Sequence, residues 1–246
     1  MRTLSFGAFA CATLLGSCPA LSEMSEQQYD FVQANMIGVF YHEMGHAIID
    51  TEEVPIFGQE EDAADVLSAL LIHETFLEED AQSIAFDAAY GYINDPSGME
   101  AVAYWDNHGP DEQRFYNHVC IFFGAAPDKR RALAEDLGLP EERADWCPAE
   151  YEQASEAWGT VLDEMAKRPQ KDTLVFIPGT GWHADVLNEI VATEVEDFNA
   201  NFTLSHPVQV RVEPCGQANA FYQADGRILT MCTEFIDHML ELEKRY

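Results

Sequence analysis

Residues 26–50 read EQQYDFVQANMIGVFYHEMGHAIID. Phe31, Met36, Val39, Phe40 and Ile48 recur at helical spacing. Ser25, with Gln28 three residues on, is a helix-start signal, and Pro55 and Gly58 mark the break that follows. A helix from Glu26 to about Asp50 is therefore predicted, and it carries His42-Glu43-Met44-Gly45-His46. Residues i and i+4 share a helical face, so both imidazoles can converge on one ion. Glu43 stands one position along from His42 and reaches a water on that ion without being a ligand. This spacing predicts zinc held by His42 and His46, with Glu43 as general base. Gly45 omits a side chain beside the ion, which lets another segment come close.

Two histidines do not complete a zinc site. The third ligand is expected from Gly58-Gln59-Glu60-Glu61-Asp62-Ala63-Ala64-Asp65, at the start of a second helix that the turn at Pro55 and Gly58 folds back over the first. Glu61 is the leading candidate, Glu60 a neighbouring alternative and Glu52 a weaker one. Asp65 lies four residues beyond Glu61 on the same face, where it can accept the distal N–H of a ligating histidine and fix its tautomer. Ala63 and Ala64 allow the helices to approach closely. Acids at 60–62 also suit any helix N-terminus, and only their convergence with the histidines points to a metal.

Hydrolysis of an acyl group also needs a donor for the developing oxyanion. His108, in the polar stretch Asp106-Asn-His-Gly-Pro-Asp-Glu-Gln-Arg114, is the first candidate; Arg114 and Tyr116 are others. Arg114 is the first cation after Arg2 and is expected to pair with an acid. His73 falls on an apolar helix face and reads as core, or as a support behind a ligand, rather than as a ligand. Glu234 and His238 read as scaffold.

Tyr41-His-Glu-Met-Gly-His46 and the 58–65 segment resemble a family of bacterial exported zinc metallopeptidases. The likeness continues through Trp105-Asp-Asn-His108, Asp111–Asn117, Cys120, Arg143-Ala-Asp-Trp-Cys147, Glu213-Pro-Cys-Gly216, Asn219-Ala-Phe-Tyr222 and Cys232, nearly the whole chain after the leader. The Glu61/Asp65 pair also resembles the E-x-x-x-D arrangement of gluzincins. That resemblance implies zinc bound by His42, His46 and Glu61, and a peptide or protein substrate. Two departures stand out. Only 14 residues separate His46 from Glu61. Almost no chain precedes the HExxH helix to form a substrate-lining sheet, so any sheet must come from residues after 170.

The ends and the composition set the compartment. Arg2, the apolar run Leu4–Gly16 and Ser17-Cys-Pro-Ala20 form a signal-peptide pattern over residues 1–20. Cleavage after Ala20 would leave a soluble product, and Leu15-Gly-Ser-Cys18 offers a lipobox as the alternative. Export to the periplasm or beyond is expected, with no later membrane-spanning segment. Four cysteines remain in the body, and an even number in an exported chain reads as disulfides; the local pairing Cys120–Cys147 and Cys215–Cys232 is expected. The formal net charge is −31, and no lysine or arginine occurs between Thr3 and Gln113. Such a surface repels nucleic acid.

Further helices are expected at about 60–76, 79–93, 99–105, 111–123, 127–137, 148–165, 182–198 and 233–243. Strands are expected at 173–177 and 207–212, with a hairpin pairing 218–222 and 227–231 across Asp225-Gly226. The predicted fold is α+β and mostly helical, a zincin-like active-site helix with a small late sheet. It is expected as one domain over 21–246, helical to 168 and mixed beyond. The function expected is zinc-dependent peptide-bond hydrolysis. The alternatives are an exported zinc-binding domain without turnover, or hydrolysis of a non-peptide amide or ester.

Overall fold

The computed structural model describes residues 24–93 and 102–245. The predicted leader and the turn at 94–98 lie outside them. Seven helices come first: α1 (Glu26–Thr51), α2 (Glu60–Thr75), α3 (Glu78–Gly91), α4 (Asp111–Ala125), α5 (Pro127–Asp136), α6 (Glu141–Ala144) and α7 (Cys147–Ala166). Then follow β1 (Leu174–Ile177), α8 (Ala184–Asn201), β2 (Val208–Glu213), β3 (Ala220–Gln223), β4 (Ile228–Cys232) and α9 (Glu234–Glu243). The protein is thus mostly helical, with a small four-stranded sheet in its C-terminal part. No helix among the described residues is long and apolar enough to cross a membrane.

The long helix α1 organises the rest. Ser25 and Gln28 close a capping box, each side chain bonding the other's backbone N–H at 3.2 and 3.1 Å. Beyond that cap, α1 is largely apolar apart from the face that carries Asn35, His42, Glu43 and His46. Phe31, Val32, Met36, Ile37, Phe40, Tyr41, Met44, Ala47, Ile48 and Ile49 are all buried, as suits a helix surrounded by other elements. It packs against α2, α3, α8, α9, β3 and β4. Its C-terminal end is tied down by Glu52, whose carboxylate takes both terminal nitrogens of Arg168 at 3.0 and 2.6 Å and the backbone N–H of Ser205 at 2.7 Å. Glu52 therefore serves as an anchor and stands apart from the metal-ligand candidates.

At Gly45 the helices α1 and α2 touch backbone to backbone. A Cβ placed there would lie 2.8 Å from the Cα of Ala64 and 2.9 Å from its Cβ, inside van der Waals contact. The small residues at 45 and 64 set this approach. The far end of α2 is held by Arg130, whose side chain is fully buried. Its guanidinium bonds Glu78, the Phe122 carbonyl and Nδ1 of His73, and lies over the Phe122 ring. His73, half-buried, is thus part of a helix-joining network.

The strand order is β1-β2-β4-β3. β1–β2 and β2–β4 are parallel, and β3–β4 is antiparallel. Helix α8 makes the crossover that a parallel β1–β2 pair requires and packs on those strands, while α1 packs on β3 and β4. In the hairpin turn, Gly226 and Arg227 adopt φ of 108° and 53°, the left-handed values that Asp-Gly turns favour. Both expected disulfides are present, Cys120–Cys147 joining α4 to α7, and Cys215–Cys232 joining the segment after β2 to the end of β4.

Two expectations need correction. The helix expected at 99–105 is absent from its described part, where residues 102–110 run through turns and bends; the Asp106 side chain takes the backbone N–H of His108, a local bond that competes with helical ones. The short α6 was not anticipated, because one turn carries too little periodicity to read.

Candidate metal centre

Three donor atoms meet where α1 faces the first turns of α2. His42 Nε2 and His46 Nε2 lie 3.3 Å apart, and each is 3.2 Å from Glu61 Oε2. Zinc held tetrahedrally at 2.0–2.1 Å places its ligand atoms about 3.3–3.4 Å from one another. The triangle of His42, His46 and Glu61 has that size, so these residues fit such an ion. The Gly45–Ala64 contact brings the carboxylate this close, because Glu61 stands one turn before Ala64.

Each imidazole is held from behind. His42 Nδ1 donates to Asp65 Oδ1 at 2.8 Å, and His46 Nδ1 to Glu60 Oε1 at 2.8 Å. With the proton at Nδ1, the Nε2 lone pair is left for a metal. Asp65 is itself clamped by Arg114, Nε to Oδ2 at 2.7 Å and a terminal nitrogen to Oδ1 at 2.8 Å. Arg114 also lies over the Tyr92 ring. The structure thus gives Arg114 the acidic partner expected of it, and sets it behind His42.

His108 comes from the 102–110 segment. Its Nε2 is 2.9 Å from Glu61 Oε2, and its ring stacks on His42 with centroids 6.1 Å apart. His42, Glu61 and His108 each present a donor atom within 4.8 Å of the others. Tyr116 is on α4, part-exposed and stacked edge-on to Phe115.

The charges follow from this packing. Burial would lower the His42 pKa, but its hydrogen bonds to Asp65 and Glu61 outweigh that and push it up to about 9. His46 is raised against burial by Glu61 and Glu60. Burial opposes ionisation of Glu61 and Asp65, yet both are held well below the carboxylate range, Glu61 by His108, His42 and His46, and Asp65 by Arg114 and His42. Without a cation the carboxylates retain protons on the imidazoles; a divalent ion replaces those protons. Glu43 differs. It is 7% exposed, and burial raises its pKa, partly countered by the two histidines and by the backbone N–H of Tyr222, which donates to it. A carboxylate so placed is a better base than one in water.

The cluster lies in a cleft of ≈ 1120 Å³, walled by α1, α2, the end of α3, the 107–108 segment, β3 and α9. Strand β3 is the sheet edge beside Glu43. At the far side Tyr222 Oη donates to Asp50 at 2.7 Å. His238 of α9 also lines the cleft. Glu234 does serve the scaffold, accepting the backbone N–H groups of Cys215 and Gly216. Sequence reasoning missed Glu60 as the partner of His46, Asn107 beside Glu61, and the Tyr222 backbone. Glu60 and Asn107 were within reach, since each adjoins a residue already singled out. A backbone N–H leaves no signal in the sequence.

The fold and the cluster together define a class: a mostly helical α+β protein with histidine and carboxylate donor atoms converging from two helices and a buried acid beside them. The family described as "Putative metallopeptidase" matches residues 15–162 and 184–246, and the chain belongs to that family. Neither a curated protein nor a solved structure was found to match it.

Proposed function

We propose that the protein is an exported zinc peptidase in which His42, His46 and Glu61 hold the ion and Glu43 is the general base. The observation carrying this reading is the triangle of donor atoms at 3.2–3.3 Å, sized for tetrahedral zinc. When bound, the ion supplies a Lewis acid that polarises a carbonyl and lowers the pKa of a coordinated water toward 7. Glu43 takes a proton from the attacking water and delivers it to the leaving nitrogen. Burial and the Tyr222 N–H hold its carboxylate in place for both transfers. His108, part-exposed at the cleft wall, donates from Nε2 to the oxyanion. The edge of β3 beside Glu43 favours a peptide over a small ester, because an extended chain pairs with an open strand edge. Two disulfides and the leader pattern support export.

One observation favours a second reading. With His108 as a fourth ligand, a donor set including His42, Glu61 and His108 closes the site, and closed zinc sites are structural. Metal analysis combined with a peptide-library digest separates the two. The first reading expects one zinc per chain, retained in Glu43→Gln while cleavage falls by about 10²–10⁴-fold or more. Unchanged hydrolysis in Glu43→Gln would sink the proposed base, and full zinc content in Glu61→Ala the proposed third ligand. Loss of zinc in His108→Ala, with no cleavage by the wild type, would establish the closed site instead.

A further inference from the structure

The two oxygens of Glu61 are not equivalent. Oε2 faces both histidines, whereas Oε1 accepts a hydrogen bond from Asn107 Nδ2 at 2.9 Å. We propose that Asn107 is a positioning residue that makes Glu61 a one-oxygen ligand. This inference rests on the ligand reading given above. The terminal carboxylate torsion of glutamate is soft and roughly two-fold, so an unrestrained Glu61 can turn either oxygen, or both, toward the ion. A second oxygen would occupy the position that a hydrolytic site leaves open. Asn107 removes that freedom by engaging Oε1 on the side away from the histidines.

The local backbone supports the role. Residues 102–110 have no regular structure to fix them, but Asp106 Oδ1 accepts the backbone N–H of His108 at 3.0 Å, an Asx turn that sets the chain direction at Asn107. The amide must present its nitrogen to Glu61, since its oxygen would oppose a carboxylate. His108, the next residue, approaches Oε2 at 2.9 Å. Asn107 thus holds Oε1 directly, a hold that water in its place would not direct.

Asn107 is exposed, so its replacement leaves the core intact and separates positioning from folding. The test uses wild type, Asn107→Ala, Asn107→Asp and Asn107→Gln. Zinc affinity is read by chelator competition, the visible spectrum is recorded on the cobalt-substituted proteins, and melting is followed without metal. Asn107→Ala is expected to melt as the wild type does, to bind zinc about 10–100-fold more weakly, and to show weaker cobalt bands as the coordination number rises. Asn107→Asp, which repels Glu61, is expected to bind at least as weakly, and Asn107→Gln to recover part of the affinity through its amide. Wild-type affinity and spectrum in Asn107→Ala would overturn the proposal. A wild type that takes up neither zinc nor cobalt would overturn the ligand assignment itself, and the positioning role with it.

Discussion

Replacing Gly45 with alanine sets two effects of known size against each other. Alanine is preferred over glycine inside a helix by about 1 kcal/mol, so on propensity alone Gly45→Ala would stabilise α1. The new methyl, however, would lie 2.8 Å from the Cα of Ala64 and 2.9 Å from its Cβ. Ordinary carbon contacts are about 3.5–4.0 Å, so α2 must retreat by roughly 0.7 Å or more. No flexible side-chain end is there to give way, and overpacking of this kind costs about 1–3 kcal/mol. The net expectation is a loss of up to about 2 kcal/mol, a melting temperature lower by up to roughly 8 °C for a protein of this size. Gly159→Ala, in α7 with nothing within 4 Å of the added carbon, is the control and should melt about 2–4 °C higher. Glu61 lies one turn before Ala64, so the retreat also spreads the donor triangle, and zinc affinity should fall by about tenfold or more. Thermal melts with and without chelator, plus a zinc competition titration, measure both effects. A Gly45→Ala protein that melts above the wild type by as much as the Gly159→Ala control would refute the steric argument. One that melts lower but binds zinc as tightly would refute the link from this contact to the ligands.

Asp65→Asn deprives part-buried Arg114 of its anionic partner and His42 of its carboxylate. Breaking such a pair costs about 3–5 kcal/mol, and zinc binding should weaken about 10–100-fold; unchanged affinity in a normally folded variant would remove Asp65 from the site. Glu194, buried on α8, accepts the Tyr41 hydroxyl at 2.6 Å, and burial raises its pKa from 4.5 to about 7. The folded state therefore keeps this proton better than the unfolded chain does. Its contribution is most favourable below pH 4.5 and is lost as the pH rises toward 7, by about 3 kcal/mol. Glu194→Gln should consequently be more stable than wild type in urea at pH 8 and close to it at pH 4.5, and equal differences at the two values would contradict the assigned burial.

The sequence made the helical part of the site legible because helical periodicity ties position to direction. His42 and His46 share a face, Glu61 and Asp65 share another, and the small residues 45, 63 and 64 mark where those faces meet. Ser25 and Gln28 gave the start of α1 for the same local reason. What stayed hidden depends on contacts between segments distant in sequence. The partnership of Arg114 with Asp65 spans 49 residues, and the burial of Arg130 among Glu78, His73 and Phe122 depends on how four helices stack. The Tyr222 N–H reaches Glu43 only because β3 is placed at the sheet edge by pairing with β4, and no side-chain pattern records that. In the 99–105 segment the apolar residues imitate a helix turn, but the turn-forming residues that follow decide the outcome.

The edge position of β3 has a consequence for the order in which the protein is made. Every residue whose side chain meets in the donor cluster occurs by His108, whereas the strand beside Glu43 that walls the cleft comes more than a hundred residues later, inside the loop that the Cys215–Cys232 disulfide closes. On the proposed reading, a chain exported from its N-terminus completes the donor cluster before the wall that receives a substrate exists, so turnover waits until the last hairpin docks.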